Sequence, residues 1–548
     1  MGTFGSFTTV RLGIYSAQKG LDVTGNNITN INTEGYTRQR LNQVSLIPSA
    51  VDRYSSTYNT RIGQGAIVAG VTQLRDPGLD ILYRKSSSDV GSANAKLDGL
   101  NGLANILDEV GKGSLEQDDG VILSQLNDIR DLISQAIASG GSSTYNDLIR
   151  SSADALVTHF NSYADKLAQL QGTYETKLDQ QITEINDKLT QIRNLNLSIR
   201  DADLRGDPAL ELRDDRNRLL DELSKYMDID VKYTMEDVGA GTMVEKLTVT
   251  LASDIGHDGH VLVDGLYSTE LSRNPGDDYY QINLAGLKDA DGKLHPDPNN
   301  EDLDQDVTLA EGDLYGSLQS IREILTGKGE YATDADKAVN PNVSSIRGIP
   351  YYRMALDNLA YEFATEMNKL NNTNLDGSGN LFSIGSDTND DTGTDGDGNP
   401  IRITASNISV SKGWDNQSIF IQTTKDPSAP SGDTSLLSEF LALFDKEIDF
   451  DPTHVDPDAT GDPYHGTFEG MLLKIQSTLA EDQMSTDAIL NNYTVTMGDL
   501  YVDREGVTGV DLNDEASNLM VYQKAYTAAC RLMTTLNEAL DSLINGTL

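Results

Sequence analysis

The chain has 548 residues, too many for one hydrophobic core, so two to four domains are expected. Its 42 Lys and Arg face 85 Asp and Glu, a net charge of −43, which argues against DNA, RNA or an anionic membrane surface as partner. The lone Cys530 excludes an internal disulfide, and no run reaches the roughly 18 apolar residues of a membrane span.

The opening residues, Met1 to Phe7, lack a basic and then an apolar region. If the protein is extracellular, it is expected to leave by a route without a cleaved signal. Phe7, Val10, Ile14, Ala17, Leu21, Thr24, Ile28 and Ile31 then recur alternately three and four residues apart. That alternation keeps one stripe of a helix against a partner, as in a coiled coil. An ordinary amphipathic helix packed on a globular core is the plainer alternative. The helix contains Gly13, Gly20 and Gly25, each costing about 1 kcal/mol relative to alanine, so it should be weak until partnered. The segment Asn32 to Tyr36 reads as its exit, and an extended stretch runs from Thr37 to about Gly70. Asp76-Pro77 breaks that stretch, and helix-forming sequence follows.

From Ser151 to Arg200, Phe160, Tyr163, Leu167, Leu170 and Tyr174 hold the same alternation. Leu178 and Ile182 follow at four and four, a stutter, before Ile185, Leu189 and Ile192 resume. A continuous helix there would span about 75 Å. Asp207-Pro208 is predicted to cap a second helix through Leu219, Leu220 and Leu223, with the proline at its first position. Past Met227, alternation such as Leu247-Thr248-Val249-Thr250-Leu251 predicts a β-rich insert over 229–315. Helix returns near Leu314–Leu325 and from Tyr351 to Asn371. A Gly/Asp/Asn/Thr-rich tract, Asp376 to Pro400, precedes a second β-like region at Ile401–Thr424, and 464 onward reads as mostly helical. Leu519, Tyr522, Tyr526, Ala529, Met533, Leu536, Leu540 and Leu543 repeat the three-four spacing at the far end.

The fold class read from this order is multidomain and mainly α with inserted β domains. A terminal coiled-coil stalk is expected from 1–60 with 505–548. A helical rod is expected from 61–228, 316–375 and 465–504. The inserts at 229–315 and 376–464 are expected outside it.

Candidates for chemistry are few. His257 and His260 share a turn without further ligands that can be placed. Asp395, Asp397 and Asn399 fit the opening of a calcium loop, but Pro400 stands where glycine is needed and Ser406 where the loop needs Glu. Arg205-Gly206-Asp207 matches an adhesion tripeptide, and reads better as a helix-cap junction. No phosphate loop, nucleophile elbow or zinc-type spacing occurs, so no enzyme, metal or cofactor is expected.

The segment from Gly25 to Gln39 carries Asn26, Asn27, Asn30, Asn32, Gly35, Tyr36 and Arg38. It resembles the N-terminal signature of the bacterial flagellar axial protein family. The Tyr36-Thr37-Arg38-Gln39 ending is similar to the hook-associated members at the hook–filament junction. Leu210 to Ser224, Ile349 to Ala360, Gly506 to Ala516 and Tyr522 to Tyr526 resemble the same members, in the same order. The two β-like inserts carry no specific match. The resemblance implies a tubular assembly with the terminal helices of many copies lining its core. It implies contacts with the hook protein, a second junction protein and the filament side. It also implies type III export, with a cytoplasmic chaperone on the C-terminal helix. Another axial subunit such as the hook protein, or a secreted adhesin or calcium-binding protein using the acidic loops, remain the alternatives.

Overall fold

The computed structural model describes residues 3–46, 65–107, 120–239, 241–252, 259–274, 276, 279–296, 306–309, 313–394 and 400–546. Helix α1 (Thr3–Thr29) leads into an antiparallel hairpin, β1 (Gln39–Ser45) and β2 (Ala66–Gln73). Its register slips between Asn42 and Gln43, where one extra residue on β2 makes a bulge. Pro77, which has no N–H to leave unpaired, opens α2 (Pro77–Leu107). Helix α3 (Val121–Ala138) turns through Gly140 and Gly141, at φ +72 and +77°, into α4 (Ser143–Leu204).

Helix α4 has 62 residues, about 93 Å at 1.5 Å each. Phe160, Tyr163, Leu167, Tyr174, Leu178, Ile182, Ile185, Leu189 and Ile192 are all buried, stutter included. That stripe is the spine on which α3, α6, α8 and the first insert pack. Helix α5 (Leu210–Leu223) folds back along it. Its start differs from the sequence reading. The N-cap is Ala209 at φ +47°, and Pro208 lies outside the helix. Asp207 accepts the Ala209 N–H at 3.1 Å, and this Asx turn shifts the helix two residues downstream.

The first insert has β3 (Ile229–Asp237), β4 (Met243–Leu251), β5 (Val261–Asp264) and β6 (Tyr267–Ser268) in one antiparallel sheet, in that spatial order. Strands β7 (Leu271–Arg273), β8 (Ile282–Leu284) and β9 (Val307–Thr308) make another. Helices α6 (Ser317–Thr326), α7 (Asp334–Val339) and α8 (Ile349–Asn371) follow. The second insert holds less strand than its sequence predicts. Short β10 (Phe382–Ile384) pairs with β13 (Ile408–Val410), and β11 (Thr392–Thr394) pairs with β12 (Pro400–Arg402). The chain then turns into α9 (Lys412–Asp415), capped by the Ser411 hydroxyl, so 411–424 carries no strand. Helix α10 (Ser435–Leu443) and the pair β14 (Ile448–Phe450) and β15 (Tyr464–Gly466) complete it.

The last helices are α11 (Phe468–Thr508) and α12 (Leu512–Asn545). The expected division at 60/61 lies outside the described residues, and that at 504/505 falls inside α11. One apolar cluster runs from Leu100 on α2, through α3, α4 and both inserts, to Leu479 on α11. The inserts therefore bury their faces on the helical spine and share its core.

Candidate assembly interface

Helices α1 and α12 lie side by side, and α1 also rests on the β1–β2 hairpin. Along α1, Val10, Ala17 and Thr24 are buried and Phe7, Ile14, Leu21 and Ile28 half-buried. Ile31 lies outside the seam, because the helix ends at Thr29 and leaves it 37% exposed. On α12, Tyr522, Ala529, Met533, Leu536 and Leu540 are half-buried, as is Cys530 beside them. Leu519, Tyr526 and Leu543 are exposed. The closest approach is at Gly20, where an added Cβ would collide with the Tyr522 ring. A glycine that looks like a helix weakness is thus the notch that seats an aromatic ring.

The signature residues that follow α1 tie this pair to the body. Asn27 exchanges two hydrogen bonds with the Gln39 backbone, Nδ2 to O and N to Oδ1, each 2.9 Å, and Tyr36 Oη donates to Asn27 Oδ1 at 2.8 Å. Burial and the nearby Glu211, Asp214 and Glu515 carboxylates push the Tyr36 phenol up, so it stays a donor. Asn30 Nδ2 donates to Asn26 Oδ1, and Asn26 in turn reaches Gln39. Asn32 is exposed. Gly35, at φ +78°, packs on Arg218 of α5. Arg38 Nε donates to Glu515 Oε1 at 2.8 Å, and the Arg38 N–H donates to Thr508 O, so it grips both sides of the α11–α12 turn. Asp511 caps α12, accepting from Asn513 N and Asp514 N.

Beneath this turn lies a lattice that sequence spacing does not reveal. Arg75 binds Asp80 through both oxygens, at 2.5 and 3.1 Å. Arg84 Nε donates to Asp221 at 2.8 Å, and Arg504 reaches the same carboxylate at 2.7 Å. Arg504 also stands 4.0 Å over the Tyr83 ring. Three arginines and two aspartates, all largely buried, thereby pin α2, α5 and α11 together at the root of the stalk. Buried charges persist only when paired in this way. Asp214 on α5 accepts the Thr37 N–H at 3.1 Å, while its other oxygen is buried without a hydrogen bond. Burial pushes its carboxyl up to about 6, against the opposing pull of Thr37 and Arg75. A polar cleft of about 620 Å³ opens between the signature turn, α5 and α11.

Other candidates fare differently. His260 faces Asp313 at 3.4 Å, whereas His257, Asp395, Asp397 and Asn399 lie outside the described residues. Among the described residues no group of three His, Cys, Asp or Glu could hold a metal ion, and no helix is long and apolar enough to cross a membrane. Arg205-Gly206-Asp207 forms the α4–α5 turn, with Gly206 at φ +79°.

A family model described as the flagellar hook-associated protein FlgK helical domain matches residues 112–386, half of the chain. Residues 15–37 match a flagella basal body rod protein model, and 507–546 match the flagellar basal body rod FlgEFG protein C-terminal model. These two fall on the signature and stalk helices. The chain is 25% identical to flagellar hook-associated protein 1 of Bacillus subtilis, over 99% of this chain and 98% of that one. Its identity to the protein of the same name from Salmonella typhimurium is 23%, over 97% and 98%. The flagellar hook junction protein FlgK from Burkholderia pseudomallei shares the fold at a TM-score of 0.52 and 13% identity, covering 78% of this chain and all of that one. The chain belongs to the FlgK family of flagellar hook-associated proteins.

Proposed function

We propose that this chain is a structural, non-enzymatic subunit at the junction of hook and filament, assembling through its terminal helices into an axial ring of its own copies. The observation that carries the reading is a second apolar seam on α12. One stripe faces α1; the other, Val521, Ala525, Ala528, Leu532, Thr535 and Ala539, repeats at four and three and lies exposed. Val521 is 62% and Leu532 52% exposed. A helix with two heptad seams can pack between two neighbours, as a helix lining a multi-stranded tube must.

In this reading the α1–α12 pair, with 1–60 and 505–548, forms the inner wall. The helical rod and the two inserts project outward. The hook protein meets one rim of the ring, and the second junction protein with the filament side meets the other. Export runs through the flagellar type III apparatus to an extracellular site, and a cytoplasmic chaperone covers the apolar stripes of α12 beforehand. The names of the relatives support the hook-associated role.

Deleting the gene tests the assignment. Hooks without filaments, with flagellin lost to the medium, are expected by electron microscopy and immunoblot. Normal filaments would refute a junction role, and missing hooks would move the protein to an earlier axial position.

A further inference from the structure

A second built feature lies at the opposite end of α4 from the stalk. A pocket of about 580 Å³ opens between the α3–α4 turn, the first turns of α4 and the strip 417–423 of the second insert. Its size is that of a small-molecule site. Ala136, Ile149 and Leu437, all buried, give it an apolar floor. Phe420, 42% exposed, forms one wall. That ring lies where a Gly377 side chain would stand, and the Phe420 N–H donates to Gly377 O at 2.9 Å, so the ring is held in place by backbone.

The rim is polar and fixed. Asn146 Oδ1 accepts from both Trp414 Nε1 and the Ile421 N–H at 3.0 Å, which anchors the strip to α4. Gln417 is held at φ +65°, a left-handed conformation that a non-glycine residue adopts at a local cost. Its amide sits 3.5 Å from the Asp147 carboxylate. Gln417 directly follows the Asn416 C-cap, so this conformation is an ordinary ending of α9 and sets the path of the strip along the pocket rim.

We propose that this pocket binds a neutral sugar residue of a glycan chain. An aromatic face takes the C–H face of a pyranose, and amide, hydroxyl and carboxylate groups around it take the ring hydroxyls. The net charge of −43, with Asp147 at the rim, disfavours anionic sugars. Helix α4 carries the pocket about 90 Å from the Gly206 turn. In the assembly proposed above, it is therefore directed away from the axial core. The binding itself needs no assembly, so its test is independent of that reading.

The full purified chain would be titrated with methyl α-mannoside, methyl β-galactoside and methyl β-N-acetylglucosaminide by saturation-transfer NMR. It would also be incubated on a printed array of neutral and sialylated glycans. A neutral glycoside should bind, and Phe420→Ala should weaken it by about tenfold or more. Ser143→Trp, at an exposed position on the pocket lip, should block the same glycoside while leaving Phe420 and the melting curve unchanged. No neutral glycoside bound at millimolar concentration, a preference for sialylated glycans, or full binding in either variant would overturn the proposal.

Discussion

Arg38 and Glu515, 477 residues apart, are joined by a 2.8 Å hydrogen-bonded ion pair that closes the root of the stalk. The Glu515 carboxylate is almost fully enclosed, whereas Arg38 keeps a path to solvent. The two truncations are therefore unequal. Glu515→Ala leaves a guanidinium that water can reach and should cost about 1–3 kcal/mol. Arg38→Ala strands a buried carboxylate beside Asp514 and should cost more, about 3–5 kcal/mol. Urea unfolding of both single variants and the double variant measures the coupling; strictly additive losses would show that the pair does not hold the joint.

The Gly20–Tyr522 contact gives a change of sign. Alanine for glycine in an open helix position stabilises by about 1 kcal/mol, and Gly13 and Gly25 have nothing within 4 Å of an added Cβ. Gly13→Ala should follow that rule. Gly20→Ala must displace the Tyr522 ring and should destabilise by about 1–3 kcal/mol. In a Tyr522→Ala background the same change should become stabilising. Thermal melts of the parent, the Gly13→Ala, Gly20→Ala and Tyr522→Ala single variants and the Gly20→Ala/Tyr522→Ala double variant decide it, and a stabilising Gly20→Ala in the parent chain would remove the notch.

These contacts mark the boundary of what the sequence makes legible. The α4 spine is readable because a heptad needs only apolar residues at fixed spacing, and every large one from Phe160 to Ile192 except the half-buried Leu170 is buried. The terminal stripes are buried only in part: α1 stops short of Ile31, and α12 leaves Leu519, Tyr526 and Leu543 exposed and its other stripe residues half-buried. Spacing does not tell which of two stripes faces the intramolecular partner. The exposed stripe of α12, through Val521 and Leu532, is accordingly visible only in the structure. The start of α5 differs because Asp207-Pro208 suits both an N-cap with proline at the first helical position and an Asx turn, and a left-handed Ala209 has no propensity signal. The Arg75, Arg84 and Arg504 lattice is invisible for a different reason. Its carboxylates come from helices far apart in the chain, and among 85 acidic residues no single pair stands out.

Stability should change with pH through two buried carboxyls. Burial pushes Asp214 and Asp357 each up to about 6, above their value in an unfolded chain. Between about pH 4 and 6 the folded protein thus holds protons that the unfolded chain has released. The contribution of these groups is full below about pH 4 and is lost as pH rises through 6. Asp214→Asn and Asp357→Asn should therefore be more stable than the parent at pH 7, by on the order of 1 kcal/mol each, with flatter stability curves from pH 4 to 6. Asparagine keeps an acceptor for the Thr37 and Ala405 N–H groups. Urea midpoints across that range are the measurement, and an unchanged slope in both variants would place the titration elsewhere.

The two stripes of α12 separate folding from assembly. Leu536→Asp with Leu540→Asp puts charge into the seam shared with α1 and should release that helix, seen as faster amide exchange along residues 6–29. The inserts, packed on α4, should keep their exchange protection. Val521→Asp with Leu532→Asp alters only the exposed stripe, and its effect on monomer stability should stay within about 0.5 kcal/mol. Both variants should nevertheless fail to restore filaments when expressed in a deletion strain. The second is the sharper test, because its monomer is intact. Filaments restored by Val521→Asp with Leu532→Asp would mean that the exposed stripe is an idle surface, and neighbouring copies would then have to meet through the rod and inserts instead.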